Sequence, residues 1–471
     1  MQNNNPTKVV QLERRISLLQ ATAINMIDMV GIGPFVVLSV VAAKMDGPWF
    51  LYAWVAGAVL SFVDGMVWSQ LGSTYPLAGG SYNFLKEGFG EKWGKLMSFL
   101  FVWQTMIQAP LVIASAAIGF AHYAEFIFGT DKVVSFFHYQ VPLNTIISKI
   151  MSGTVVILIV VMLYRKIDAI GKISVLLWVG VLITMAWIIG GGLLHGNFTA
   201  PIIHINDGLH LNGAFIAVLG FASVKTVYSY LGYYNVCHLG GEIKNPKKNI
   251  PRSMFISIAC IAALYLLMNI SVASVLPLKQ IQESKFVVSE FIQTLAGKTA
   301  ATIATCLILW VAFASVFSAT LGYSRVPYAA AKDGAFFKVF AKLHPTKHFP
   351  YISLIFLGAV AFVFSLLFRL GDVIDAILAM RILIQFIGQT IGLILLVKKK
   401  GLKHFAWKMP LYPLPALLAV CMWGFIFYST GNKMMMGGAT VITLGIIAYL
   451  LKANRNKEWP FLPQRHEEHK V

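Results

Sequence analysis

Two short stretches of this chain put chemistry-bearing residues where a helix cannot run on undisturbed. Asp28-Met29-Val30-Gly31-Ile32-Gly33-Pro34-Phe35 sets an acid one turn before two glycines and a proline, inside an apolar run. Tyr228-Ser229-Tyr230-Leu231-Gly232-Tyr233-Tyr234-Asn235 sets a glycine among polar aromatics inside another. Gly and Pro weaken the helical ladder, and unwound backbone persists at membrane depth only where it lines a cavity or is buried in protein. Such a break leaves N–H groups able to hold a carboxylate and C=O groups able to hold an ammonium. A zwitterion satisfies both. The competing reading, glycines that merely let helices pack closely, suits either break alone better than both together.

Four ionisable residues fall well inside apolar runs: Asp28, Asp64, Lys225 and Arg381. Each costs about 2.5–3.5 kcal/mol near the bilayer centre on an insertion scale if it faces lipid. Two acids and two bases are expected to neutralise one another, or to serve in gating and coupling. In the second case Lys225 or Arg381 holds an anionic group or gates a vestibule. One of the acids then binds and releases a proton, because burial raises a carboxyl pKa and a neighbouring cation lowers it. Lys225 lies three residues before Tyr228, so the two share a helical face. A purely structural ion-pair network is the alternative.

The elements that must position these residues are membrane helices. The 471 residues are 58% hydrophobic and 12% charged, with a mean hydropathy of +0.72; an average soluble chain carries about 25% charged residues. The apolar residues come in runs of about 20, each sufficient to cross the hydrocarbon core as a helix, and without the alternation of a membrane barrel. Twelve spans are predicted, at 17–43, 49–75, 94–127, 143–164, 171–194, 213–240, 254–276, 298–324, 350–368, 372–397, 411–428 and 434–452. The breaks fall in the first and sixth, five spans apart. That spacing predicts an inverted repeat (17–194 and 213–397, a core of 17–397), with the breaks at its interface and two accessory helices at 411–452.

Charge sets the expected orientation. With the N-terminus in the cytoplasm, 28 of the 38 Lys and Arg fall on the cytoplasmic side and 8 on the outer side, leaving Lys225 and Arg381 within spans. This asymmetry predicts a multi-pass cell-membrane protein with both termini, 1–16 and 453–471, cytoplasmic. No cleavable signal is read before the first span. The net charge of +19 therefore encodes topology, and no basic stripe with interleaved aromatics suggests nucleic acid. The four cysteines, Cys237, Cys260, Cys306 and Cys421, lack CxxC spacing and read as packing residues. No metal site or cofactor is expected. No GxxxxGK[ST] loop is present, so any driving energy comes from a gradient or from exchange.

At this point the motifs acquire a family likeness. The chain resembles the amino acid–polyamine–organocation (APC) superfamily, in particular its amino-acid permeases, over roughly residues 15–400. Gly31-Ile32-Gly33 is similar to the family's Gly-Ser-Gly signature. Tyr75-Pro76-Leu77-Ala78-Gly79-Gly80-Ser81-Tyr82 looks like its loop after helix two. Glu242-Ile243-Lys244-Asn245-Pro246, continuing to Asn249-Ile250-Pro251-Arg252, looks like its stretch after helix six. Ser324-Arg325-Val326-Pro327-Tyr328 through Asp333-Gly334 looks like its pattern at the end of helix eight.

The resemblance implies a ten-helix core with helices one and six unwound and a transport function by alternating access, through proton-coupled symport or exchange. It implies that Gly31, Ile32 and Gly33 hold a substrate carboxylate. Carbonyls near Met29, Tyr230, Leu231 and the adjoining Gly232 receive an ammonium, and Tyr228 caps the substrate. Departures are Ile32 in place of Ser, no lysine in Trp178-Val179-Gly180-Val181, and no large aromatic near Ala319.

Other function classes fit less well. A membrane enzyme would cluster His, Asp or Cys at one face, and a channel would show a filter loop. Within carriers, a polyamine or other organic cation is the alternative to an amino acid, favoured by Asp28 and Asp64 and opposed by the two bases. Asn197-Phe198-Thr199 fits a glycosylation pattern, His466-Glu467-Glu468-His469 reads as a solvated tail, and Met434-Met435-Met436 as packing.

Overall fold

The computed structural model describes residues 12–461 apart from 137–138, 198, 204 and 369. The His466-Glu467-Glu468-His469 tail and residues 1–11 of the N-terminal tail lie outside the described residues. The chain is built of helices. The first span opens at Ser17, whose hydroxyl accepts from the Gln20 N–H while the Gln20 side chain accepts from the Ser17 N–H, a reciprocal cap that fixes the start. It runs as α1 (Leu18–Met29), stops, and resumes as α2 (Gly33–Met45) with Pro34 in its first turn. The two pieces are bent by 41°.

Then follow α3 (Leu51–Thr74), α4 (Ser81–Phe128), α5 (Leu143–Leu163), α6 (Ile167–His195) and α7 (Gly213–Tyr230). The sixth span breaks after Tyr230 and resumes as only one short turn, Asn235–His238. The remainder comprises α8 (Pro246–Ala273), α9 (Val287–Tyr323), α10 (Tyr351–Leu367), α11 (Leu370–Arg381), α12 (Gln389–Lys400), α13 (Leu414–Ser429) and α14 (Asn432–Asn456). A π-helical turn, Ile382–Gly388, joins α11 to α12.

Among the described residues nine helices are long and apolar enough to cross a membrane, ten if the bent first pair is one span. The shorter apolar helices α10 and α13 occupy the places predicted for spans nine and eleven, so a count of twelve rests on including those two. Two predicted spans are longer than read. α4 extends back to Ser81 through a bend at Gly90 (φ 72°), and α9 extends back to Val287 through one at Gly297 (φ 79°). In both, a glycine in the left-handed region turns the chain while adjacent helical segments continue. A hairpin of Val133–Phe136 with Tyr139–Pro142, outside the sequence reading, closes the loop between α4 and α5.

The motif loops meet at the end of the bundle that the charge count assigns to the cytoplasm. Gly79 donates to the His238 carbonyl (3.0 Å), and Lys244 donates to the Ile16 carbonyl (2.8 Å). Arg14 reaches the carbonyls of Ile243 and Pro76. Beneath them the Arg325 guanidinium grips the Glu242 carboxylate through two bonds of 2.9 Å, both side chains being at most 2% exposed. Arg325 also donates to Ser324 Oγ and the Leu321 carbonyl. The pair ties the end of span six to the end of α9. Removing one partner strands a buried charge, so Arg325→Ala is expected to destabilise the fold by about 3–5 kcal/mol. In a detergent-solution thermal melt, Glu242→Ala on the Arg325→Ala background should recover part of the lost Tm.

Candidate functional site

The two breaks touch. Gly232 has φ +125°, and a Cβ there would lie 2.8 Å from the Asp28 carbonyl carbon and the Met29 nitrogen. Glycine is therefore required twice, for its dihedral and for the close approach of one backbone to the other. The hydroxyl of Tyr265, on α8, lies 2.7 Å from the Met29 carbonyl and 3.0 Å from the Ser229 carbonyl, so one donor spans the ends of both broken helices. Trp54 packs edge-on against Tyr265 and Tyr230 behind this contact.

In front of it lies a small cavity of about 50 Å³. Its walls are Asp28, Met29, Gly31, Ile32 and Gly33 from the first break, and Tyr228, Ser229, Leu231, Gly232 and Tyr234 from the second. Val112 and Ala116 of α4, Ser315 and Tyr323 of α9, and Ile377 and Arg381 of α11 complete it. Among the described residues the N–H groups of Ile32 and Gly33 have no backbone partner, as the start of a helix dictates, and both residues line this space. The Gly31 N–H is instead committed to the Met29 carbonyl at 3.0 Å. That carbonyl also receives Tyr265, so it is already saturated. The Tyr230 and Leu231 carbonyls accept no backbone bond.

The sequence-predicted residues divide accordingly. Met29, Gly31, Ile32, Gly33, Tyr228, Leu231 and Gly232 line the cavity; the Tyr230 side chain is turned away and fully buried against Trp54 and Tyr265. Tyr228 shares a hydrogen bond with Ser115 (3.0 Å) and is part of the cavity wall. Ile32, standing where the motif has Ser, sits in the space that the bare Cα of Gly119 leaves on α4.

Of the four intramembrane charges, Asp28 and Arg381 share the cavity. Arg381 is 2% exposed and donates to the hydroxyls of Tyr234 and Tyr323, joining span ten to spans six and eight. Asp64 is elsewhere. It is fully buried and accepts from Tyr233 Oη (2.5 Å) and Trp423 Nε1 (3.1 Å). Lys225 lies over the ring of Phe221, whose other neighbour is Lys44, and does not line the cavity. A three-residue offset moved it one turn along and partly around α7.

Sequence reasoning missed Tyr234, Ser315 and Tyr323, and the α4 residues Val112 and Ala116. Tyr234 was within the quoted motif. The others had as signal only a spacing of four or eight on long apolar helices, which every packed helix shows.

A bundle of apolar helices with two interrupted spans meeting around an internal polar cavity defines a multi-pass membrane transporter fold. Comparison makes the class specific: the amino acid permease family profile matches residues 16–451, and the chain belongs to that family, within the APC superfamily. It is 27% identical over 442 residues to the serine/threonine exchanger SteT of Bacillus subtilis, covering 92% of this chain and 95% of that protein. It is 25% identical over 447 residues to the human cystine/glutamate transporter, covering 94% and 86%. It is 21% identical over 471 residues to the methylthioribose transporter of Bacillus subtilis, covering 96% and 95%. These relatives are transporters rather than enzymes, and their named cargoes differ.

Tyr265→Phe removes the donor shared by the two breaks and leaves buried carbonyls short of a partner, a cost of about 1–3 kcal/mol. The expected result is a lowered Tm in a detergent-solution melt, and an unchanged Tm would overturn the shared-donor role.

Proposed function

We propose that the protein is a secondary active transporter of an amino acid, with its substrate held where the two broken spans meet. The observation that carries this is that Ile32 and Gly33 on one break, whose N–H groups lack a backbone partner, and Leu231 on the other, whose carbonyl accepts no backbone bond, line one cavity. The N–H groups of Ile32 and Gly33 take the carboxylate at the positive end of α2. The Tyr230 and Leu231 carbonyls, at the negative end of α7, take the ammonium. Gly31 contributes by its lack of a side chain beside Ser315 rather than by its N–H. Tyr228 closes the outer end of the site.

The reading extends to how the site is opened. Arg381 clamps Tyr234 of the broken span to Tyr323 of α9, and Glu242 with Arg325 repeats that linkage nearer the cytoplasmic end. Both links must be released for a substrate to leave on that side. Transport follows when substrate and coupling ion bind the two arrangements with different affinity. Asp28 is the proton-binding group in this scheme, since its carboxylate faces the cavity and makes no side-chain hydrogen bond or ion pair among the described residues. Asp64, held by two neutral donors outside the cavity, is assigned to positioning. The cell membrane, with both termini cytoplasmic, is the proposed location.

The test is uptake of a labelled amino-acid panel into proteoliposomes, with and without an inward proton gradient and with and without internal amino acid. Saturable uptake stimulated by the gradient identifies symport; uptake only into preloaded vesicles identifies exchange. Polyamine uptake with no uptake of any amino acid overturns the proposal. Asp28→Asn is expected to remove stimulation by the gradient, and stimulation unchanged in that variant would exclude Asp28 from coupling. Arg381→Lys retains charge but loses the fork that holds two hydroxyls at once. Losing one charge-assisted bond of the closed arrangement, worth about 1.5–3 kcal/mol, is expected to shift the balance toward the opened arrangement by about 10–100-fold, read as faster leak of preloaded substrate from proteoliposomes.

A further inference from the structure

At the end of the bundle that the charge count assigns to the cytoplasm, a groove of about 710 Å³ lies between the end of α5, the start of α6 and the start of α10. Arg165 and Lys166 line it from the turn that joins α5 to α6, and Lys347 lines it from the loop before α10. That loop sits with the motif loops: the adjoining His348 is bonded to Glu13 at 2.9 Å, and the next residue, Arg14, reaches the carbonyls of Ile243 and Pro76. None of α5, α6 and α10 contributes to the wall of the central cavity, so the groove is a separate place in the fold.

Among the described residues the groove is lined by three cations and no acid, and none of the three is in an ion pair. Asp168, in the first turn of α6, is exposed and not part of the wall, and Glu13 is held by Arg15 and His348. Lys347 is fixed in place. Its ammonium donates to the Tyr164 carbonyl at 2.8 Å and lies 4.6 Å from the centre of the Tyr164 ring, which His344 and Phe349 meet edge to face. An ammonium has three N–H donors, so two remain for a ligand, and the Arg165 guanidinium adds a planar fork of donors. Such a set suits the oxygens of a phosphate.

The rest of the wall is largely apolar. Val160 seats against the bare Cα of Gly358, which brings α5 and α10 together at this point. Val161 and Ile355 are 61% and 47% exposed, and they continue into Ile157, Leu158 and Phe356, exposed apolar residues of the same two helices. On helices that cross a membrane such a surface meets acyl chains. The groove therefore joins a basic rim to a wall that lipid covers. We propose that it binds the phosphate headgroup of an anionic membrane lipid, whose acyl chains run along Val161 and Ile355. Basic pockets between membrane helices at the cytoplasmic surface suit such headgroups. A soluble phosphate leaves the apolar wall unused, and a phosphocholine headgroup brings a quaternary ammonium against three cations. The bound headgroup bridges the α5–α6 turn to the start of α10, whatever solute the central cavity carries.

The test offers the purified, delipidated full chain in detergent equal amounts of dioleoylphosphatidylglycerol and dioleoylphosphatidylcholine, with bound lipid counted by native mass spectrometry. The unaltered protein is expected to retain phosphatidylglycerol preferentially. Each basic side chain near an anionic headgroup contributes about fivefold in affinity, so Arg165→Gln with Lys166→Gln is expected to weaken phosphatidylglycerol binding by about 25-fold. Lys398→Gln with Lys399→Gln removes two exposed cations of α12 at the same end and is expected to leave it unchanged. Phosphatidylcholine retention by each variant is the reference for a folded, lipid-accessible protein. No preference in the unaltered protein, no loss in the Arg165/Lys166 variant, or an equal loss in the α12 variant overturns the proposal. Displacement of the lipid by millimolar glycerol phosphate also overturns it, since the groove is then a site for a soluble phosphate.

Discussion

One contact organises the centre of this molecule: the backbone of the second break lies directly against the backbone of the first. Gly232 presses on Asp28 and Met29, and the Tyr265 hydroxyl is shared between the carbonyls of Met29 and Ser229. In a membrane, unwound peptide groups need partners inside the protein. Here each break is closed by the other on one side and left open to a cavity on the other. Ile32, Gly33 and Leu231, whose backbone groups remain without a backbone partner among the described residues, line that cavity. Behind the contact, Trp54, Tyr230 and Tyr265 are packed edge to face and leave no room for the backbones to separate in that direction.

The charged residues follow the same economy. Arg381 is tolerable in the membrane interior because Tyr234 and Tyr323 accept its hydrogen bonds and the Asp28 carboxylate shares its cavity. Asp64 is tolerable because Tyr233 and Trp423 donate to it. Tyr233 and Tyr234 are adjacent in the second break, so one dipeptide serves an acid on one side and a base on the other. The Asp64 contact also gives α13 a physical attachment: its Trp423 donates to the acid while stacking at 3.9 Å on Phe386 of the π-helical turn. An accessory helix is thereby connected to the interrupted spans through a single carboxylate.

Most of the helical architecture was legible as a pattern of apolar runs, since a span is specified by about 20 consecutive residues and needs no knowledge of its neighbours. Both breaks were legible for the same reason: Gly31, Gly33, Pro34 and Gly232 act on their own backbone. The errors arose where a helix carries on through a polar stretch, as at Ser81–Phe89 and at 287–296. There, packing rather than hydropathy keeps the chain helical, and a glycine bend at Gly90 or Gly297 replaces the expected loop.

Within the site, identity and location came from different sources. That Asp28, Asp64, Lys225 and Arg381 are costly in a membrane is a property of the residues themselves, and the sequence alone determined it, together with the spans, the breaks and the family likeness of the motif loops. Which charge meets which partner was decided only by the tertiary structure. Asp28 and Arg381, 353 positions apart, share a cavity, whereas Lys225, three residues from Tyr228, does not reach it. The committed Gly31 N–H, the Tyr265 staple, and Ser315 and Tyr323 on the cavity wall belong to the same category. Local chain geometry is encoded within a few residues, but the direction a helix face points depends on how every other helix packs against it.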